Sequence, residues 1–183
     1  MPKQIGYVVG SLRKDSNNRK LAQALIKMGP ADFTFSELKT GDLPLFNQEE
    51  EASPVASVQR LKSEIRKCDG VMIVTAEYNR SIPGVLKNAI DHASRPPAQN
   101  AWAGKPVGIL GCSTGAIGTA IAQSHLREVV AYLDMPQLAQ PEAYIQTKPG
   151  FFDEAGNVAN ADSRKFLHAW MDKYAAWVKR LTG

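Results

Sequence analysis

The chain has 183 residues, 44% of them hydrophobic, a net charge of +4 and a pI near 9.1. That length suits one domain spanning residues 1–183 with a sizeable core, and the apolar fraction excludes a generally disordered chain. The Lys and Arg residues are scattered, with no dense basic tract and no interleaved aromatics, which argues against nucleic acid as a partner and leaves anionic small molecules as the better match for the charge. Cys68 and Cys112 each follow or end an apolar run, where Cys behaves as a small buried hydrophobe, and no Cys/His spacing suggests a metal site. The N-terminal residues lack a signal-peptide pattern and no apolar run reaches 18 residues, so the expected setting is a reducing cytoplasm with no membrane partner.

Residues 5–10 are an apolar run ending in Gly10 and read as a short buried strand. A polar loop follows at once, and then Leu21, Leu25 and Met28 recur at helical spacing until Gly29-Pro30 stops the helix. A strand that feeds a polar loop opening a helix is a seat for a phosphate, because the first helical N–H groups lack internal partners and the helix dipole favours negative charge there. Ser11, Ser16 and Asn18 can donate hydrogen bonds to such an anion, and Arg13 can add a bidentate charged contact. The competing reading is an ordinary loop whose Ser and Asn residues cap the next helix.

Residues 33–38 alternate apolar and polar and predict a strand near a sheet edge. Val55, Val58, Leu61, Ile65 and Cys68 step by 3, 3, 4 and 3, an amphipathic helix, and residues 71–74 follow as a strand buried on both faces. Ser81 is the expected N-cap, with Pro83 in the first turn of a helix running to about residue 93. Residues 107–112 are another strand, and Gly115-Ala116 is expected to open the helix that carries Ile117, Ile121, Leu126, Val129 and Leu133. Short extended pieces are expected at residues 135–139 and 143–146. A last helix from about Asp162 carries Leu167, Trp170, Tyr174, Trp177 and Leu181, with Trp170 and Trp177 in the core by spacing. Trp102 is expected over a loop or at a subunit contact, and His92 and His125 on a helix surface or in packing.

Strand and helix alternate five times, which predicts an α/β fold: a five-stranded parallel sheet with helices on both faces, binding its ligand at the carboxyl ends of the strands. Three loops rich in small polar residues meet at that edge: the first one, the segment Glu77-Tyr78-Asn79-Arg80, and Ser113-Thr114-Gly115. Together they would form a polar-edged slot for a flat ring carrying a phosphate, with Tyr78 placed to stack on the ring.

The combination of Gly10-Ser11-Leu12-Arg13-Lys14, Ser16 and Asn18 with Glu77-Tyr78-Asn79 and the run Ser81-Ile82-Pro83-Gly84-Val85-Leu86-Lys87-Asn88 resembles the NADPH-dependent FMN reductase family, most closely its bacterial chromate and quinone reductase branch. The resemblance continues through Trp102-Ala103-Gly104-Lys105-Pro106, Ser113-Thr114-Gly115 and His125-Leu126-Arg127 and covers most of residues 5–142. It implies a flavodoxin-like fold with non-covalent FMN and NADPH or NADH as electron donor. It further implies a ping-pong transfer of electrons to a small-molecule acceptor such as a quinone, chromate or an azo compound. By resemblance, Ser11, Arg13, Ser16, Asn17 and Asn18 hold the FMN phosphate, Glu77, Tyr78, Asn79 and Arg80 line the isoalloxazine, and Ser113 and Thr114 close the other side. Residues 43–46 match the family's loop near the dimethylbenzene edge or partner subunit, and a homodimer or homotetramer is implied. Many members have Pro before Glu-Tyr-Asn; this chain has Ala76. The start of the helix at Gly115 and nearby basic groups are the expected stabilisers of negative charge on the ring, and Arg80 the expected contact for an anionic donor or acceptor.

Two other classes share these motifs. A flavodoxin-like electron carrier would bind FMN without turning over NAD(P)H. An α/β serine hydrolase would use Ser113 in Gly111-Cys112-Ser113-Thr114-Gly115, a G-x-S-x-G elbow, with Asp153 or Asp162 and His168 completing the triad.

Overall fold

A computed structural model describes residues 2–183. Five parallel strands form one sheet: β1 (Lys3–Val9), β2 (Phe33–Glu37), β3 (Gly70–Thr75), β4 (Val107–Ser113) and β5 (Tyr144–Gln146), in the order β2-β1-β3-β4-β5. The helices are α1 (Asn17–Lys27), α2 (Ala56–Lys67), α3 (Gly84–Ser94), α4 (Ala120–Tyr132) and α5 (Ala161–Thr182). The strand order reverses at β1, so a crevice opens between β1 and β3 at their carboxyl ends. No helix among the described residues is long and apolar enough to cross a membrane.

Period-two alternation along the strands sorts the core onto two faces. Ile5, Tyr7, Val9, Met72, Val74, Leu110 and Cys112 point to α1 and α5, where they meet Leu21, Leu25, Leu167, Trp170 and Tyr174. Val8, Val71, Ile73, Val107 and Ile109 point the other way, toward Leu61 and Ile65 of α2, Leu86 and Ile90 of α3 and Leu126 and Val130 of α4. Trp170 and Tyr174 stack with ring centroids 5.5 Å apart. They lie against Gly108, where a Cβ would stand 2.6 Å from the Tyr174 ring, so β4 needs glycine at that point to let α5 approach.

Several expectations change. Trp102 is fully buried in the α2–α4 core and donates its indole N–H to Ile90 O at 3.2 Å, so it neither covers a loop nor faces outward. Trp177 is only partly buried against the core, with its indole N–H on Pro136 O at 3.2 Å. Residues 135–139 contribute one isolated bridge, Val107 to Gln137, rather than a strand. Helix α3 starts at Gly84 with Pro83 as its cap and no side-chain capping bond, so Ser81 is not an N-cap. Helix α4 starts at Ala120, five residues after Gly115. The chain turns first at Gly118, whose φ of +60° suits glycine and whose Cβ would stand 2.7 Å from the Tyr144 backbone.

Candidate active site

The loop after β1 reaches α1 through Ser16, whose hydroxyl accepts the Arg19 N–H at 3.4 Å while its carbonyl accepts the Lys20 N–H at 3.0 Å. The N–H groups of Asn17 and Asn18, the first two residues of α1, have no intrahelical acceptor. Ser11 is buried; its Oγ accepts the Arg13 N–H and lies 3.3 Å from the Tyr78 hydroxyl, which links this loop to the next. Lys20 contacts Asp15 at 2.6 Å and Arg13 stands 3.8 Å from the same carboxylate. The hydrogen bond from Lys20, with the charges of Lys20 and Arg13, holds the Asp15 carboxyl below its ordinary value.

After β3 the chain makes a two-residue turn. Tyr78 and Ser81 exchange N–H···O bonds of 3.1 Å, and Asn79 and Arg80 between them have φ of 52° and 64°. Both central residues are left-handed, as a type I′ turn requires. Glu77 fixes the turn from one side. Its Oε2 accepts the N–H groups of Ile121 and Ala122 at 3.1 and 3.0 Å, and its Oε1 meets Arg80 Nη1 at 3.2 Å. A side chain 43 positions upstream of the helix start thus supplies the anionic cap of α4. On the other side the Ser81 Oγ lies 3.0 Å from His125 Nδ1.

Ser113 ends β4; its hydroxyl accepts the Gly115 N–H at 3.1 Å and its carbonyl the Thr147 N–H at 2.8 Å. Asn17 Nδ2 donates to Thr147 Oγ1 at 3.2 Å, and Gln146 donates to Thr114 O at 3.3 Å. Farther round the edge, Asn88 accepts the Phe46 N–H and donates to Pro44 O, and His92 Nε2 lies 2.9 Å from the same carbonyl, which pins residues 43–46 as a strap on α3.

A cavity of about 250 Å³ opens between the three loops. Its walls bring together Ser11, Arg13, Ser16, Asn17 and Asn18, then Glu77 and Tyr78, then Ser113 and Thr114, with Ala76 and Cys112 completing them. Asn79 and Arg80 sit outside the wall at the exposed tip of the turn. The Asn18 amide is engaged at both ends by Cys112, donating to its carbonyl at 2.9 Å and accepting its N–H at 2.8 Å. The expected charge stabilisation by a helix start at Gly115 fails for a physical reason: α4 begins later, and the Glu77 carboxylate already occupies its free N–H groups. His125 stands on the helix surface as expected, but its bond to Ser81 escaped the sequence reading, as did Thr147 and the anchoring role of Glu77. Asn-to-Thr and Glu-to-main-chain contacts across 130 and 44 positions leave no local periodic signal.

The donor set of the first loop fits a phosphate monoester: two buried hydroxyls, the Asn17 amide, two free helical N–H groups and the exposed Arg13. Tyr78, 52% exposed at the mouth, offers an aromatic face beside it. A hydrolytic triad is not assembled. Among the described residues no histidine bonds Ser113, and His168 Nδ1 instead meets Asp172 one turn along α5 at 3.2 Å.

A parallel sheet of order 2-1-3-4-5 with this cradle at its switch point defines a flavodoxin-like mononucleotide-binding protein. Residues 4–150 match the sequence profile described as NADPH-dependent FMN reductase. The chain belongs to that family, and is accordingly an oxidoreductase with FMN as its cofactor and NAD(P)H as its electron donor. It is 52% identical over 179 residues to a 2-hydroxy-1,4-benzoquinone reductase of a Burkholderia species, covering 98% of each chain. It is 47% identical to a quinone reductase of Pseudomonas putida over 96% of this chain and 94% of that one. Among solved structures, the flavoenzyme NAD(P)H:(acceptor) oxidoreductase FerB of Paracoccus denitrificans superposes with a TM-score of 0.93 at 42% identity, covering 97% of this chain and 98% of that one.

Proposed function

We propose that this chain is an NAD(P)H:quinone reductase working by a ping-pong cycle at one shared face of its bound FMN. Bound FMN would supply the redox chemistry, as acceptor of a hydride from reduced nicotinamide and donor of electrons to the acceptor. The chain supplies grip, orientation and a surface. In this reading Ser11, Arg13, Ser16 and Asn17 hold the phosphate by side chain, and Asn18 by its free N–H, since its amide is committed to Cys112. Glu77, Tyr78, Asn79 and Arg80 border the isoalloxazine, and Ser113 and Thr114 close its other side. Arg80, its side chain 69% exposed, meets the anionic donor.

The observation that carries the quinone reading is the exposure of single apolar side chains in the segments that follow the strands, with Tyr78 among them on the cavity wall. Leu12 is 60% exposed, Tyr78 52%, Ile117 42% and Ile121 39%. An exposed aromatic ring on the wall of a polar cradle suits a flat apolar partner. Two relatives of high identity carry quinone reduction in their names. Chromate and azo compounds are further acceptors that the same open face would admit. Leu45, 86% exposed on the pinned strap, supports a homodimer or homotetramer in which a second copy covers it. A reducing cytoplasm suits two free buried thiols. Steady-state rates at varied NADPH and benzoquinone test the cycle: parallel double-reciprocal lines are expected, and intersecting lines would reject the shared face.

A further inference from the structure

Resting on the quinone reading, we infer that Ser81 and His125 form the relay that hands the quinone its proton. Their polar atoms lie 3.0 Å apart, Oγ to Nδ1. Neither is needed by its own element, since α3 is capped by Pro83 without a side-chain bond and His125 stands on the exposed face of α4. The pair is nevertheless held next to the turn whose Tyr78 and Glu77 line the cavity. Ser81 closes the turn with Tyr78 through paired N–H···O bonds, and Glu77 anchors the first turn of α4 at Ile121. Ile121 and His125 are four positions apart, so the imidazole lies on the same face of α4 as the exposed Ile121, whose N–H is held by Glu77.

Reducing a quinone to a hydroquinone takes two electrons and two protons. A hydride brings both electrons and one proton; the second proton needs an acid. The hydride comes from the bound cofactor. The Ser81 O–H bond breaks as a new O–H bond forms on the quinone oxygen, and the proton on His125 Nδ1 moves to Ser81 Oγ. The serine is restored, and His125 is left neutral and regains its proton from water at its exposed ring. Histidine suits this role because each of its two ring nitrogens can carry a proton, and serine because its hydroxyl donates and accepts at once. A one-electron acceptor such as ferricyanide forms no O–H bond and has no use for the relay.

The test uses the FMN-loaded enzyme with His125→Asn, which places an amide nitrogen where Nδ1 stands but releases no proton, and with Ser81→Ala. Benzoquinone turnover is expected to fall on the order of 100-fold in each, while ferricyanide turnover changes by about twofold or less. FMN affinity, read by flavin fluorescence, should stay put, and the ¹⁵N resonance of His125 Nδ1 should shift when Ser81 is removed. Equal losses with both acceptors would show a merely structural tie and overturn the relay, as would an undiminished quinone rate. A wild-type enzyme that reduces ferricyanide but no quinone would instead remove the quinone reading, and the relay with it.

Discussion

Asn18 continues the sheet where the sheet runs out. The β3–β4 ladder ends at the Thr75–Gly111 pair, and one residue on, both main-chain groups of Cys112 are taken by the Asn18 amide, at 2.9 Å from the carbonyl and 2.8 Å from the N–H. The helix that follows the first loop is thereby tied to the strand that carries the third loop. Replacing Asn18 by Ala leaves a buried donor and a buried acceptor without partners, at about 1–3 kcal/mol each. The expected loss is about 3 kcal/mol, read as a fall in Tm of roughly 6–12 °C for a chain of this size. A fall under about 2 °C would show that the bonds are readily replaced.

Glu77 acts on the turn through α4. With Glu77→Ala the Ile121 and Ala122 N–H groups lose their anionic acceptor and Arg80 loses its partner. A capping loss of about 1–2 kcal/mol is expected in thermal unfolding, together with weaker FMN binding of about tenfold from a loosened turn. Glu77→Gln, which keeps one acceptor oxygen, should fall between the two.

Arg80 separates strain from function. Its φ of 64° costs a non-glycine residue about 1 kcal/mol or more, which glycine would relieve. Part of that gain is offset by the greater freedom of glycine in the unfolded chain. Arg80→Gly is therefore expected to leave Tm unchanged or slightly higher, while the KM for NADPH rises about tenfold through loss of one charge contact. A lower Tm with an unchanged KM would assign Arg80 to the fold alone.

The cysteines should be inert in the native state. Burial pushes the Cys112 thiol up to about 12 and raises the Cys68 thiol as well. At pH 8 a thiol-reactive disulfide reagent is expected to find no accessible thiol until the protein is unfolded, and then two. Because the folded state holds the Cys112 proton more tightly than the unfolded state, this stabilisation is complete below the unfolded value of 9 and is lost as pH rises from there toward about 12. Cys112→Ala should flatten the decline of stability above pH 9. An equally steep decline would place the alkaline sensitivity elsewhere.

Long apolar runs made β1, β3 and β4 legible, and the 3–4 spacing of Leu61 with Ile65 and of Trp170 with Tyr174 did the same for α2 and α5. The three loops were legible for a topological reason: strand-to-helix connections of a parallel sheet all emerge at one edge, and nine of the eleven expected site residues do line one cavity there. What escaped was set by distant partners. Ser81 carries the residue type of a cap but bonds His125, and the start of α4 is decided by Glu77 and by the left-handed Gly118 rather than by the Gly115-Ala116 pair. Residues 135–139 look extended in composition, yet they meet β4 at Val107 alone, through Pro136 O and the Leu138 N–H. Trp102 follows a loop in sequence and still fills the core, because the chain folds back onto Ile90 after the Pro97–Gln99 turn.

The proposed cofactor site depends most on the loop after β1 gripping a phosphate. Titrating the apoprotein with FMN and with riboflavin, which differ only in that group, measures the grip directly. Two charge-assisted hydrogen bonds of about 1.5 kcal/mol each predict FMN binding tighter by roughly 100-fold. Equal affinity for the two ligands would contradict it.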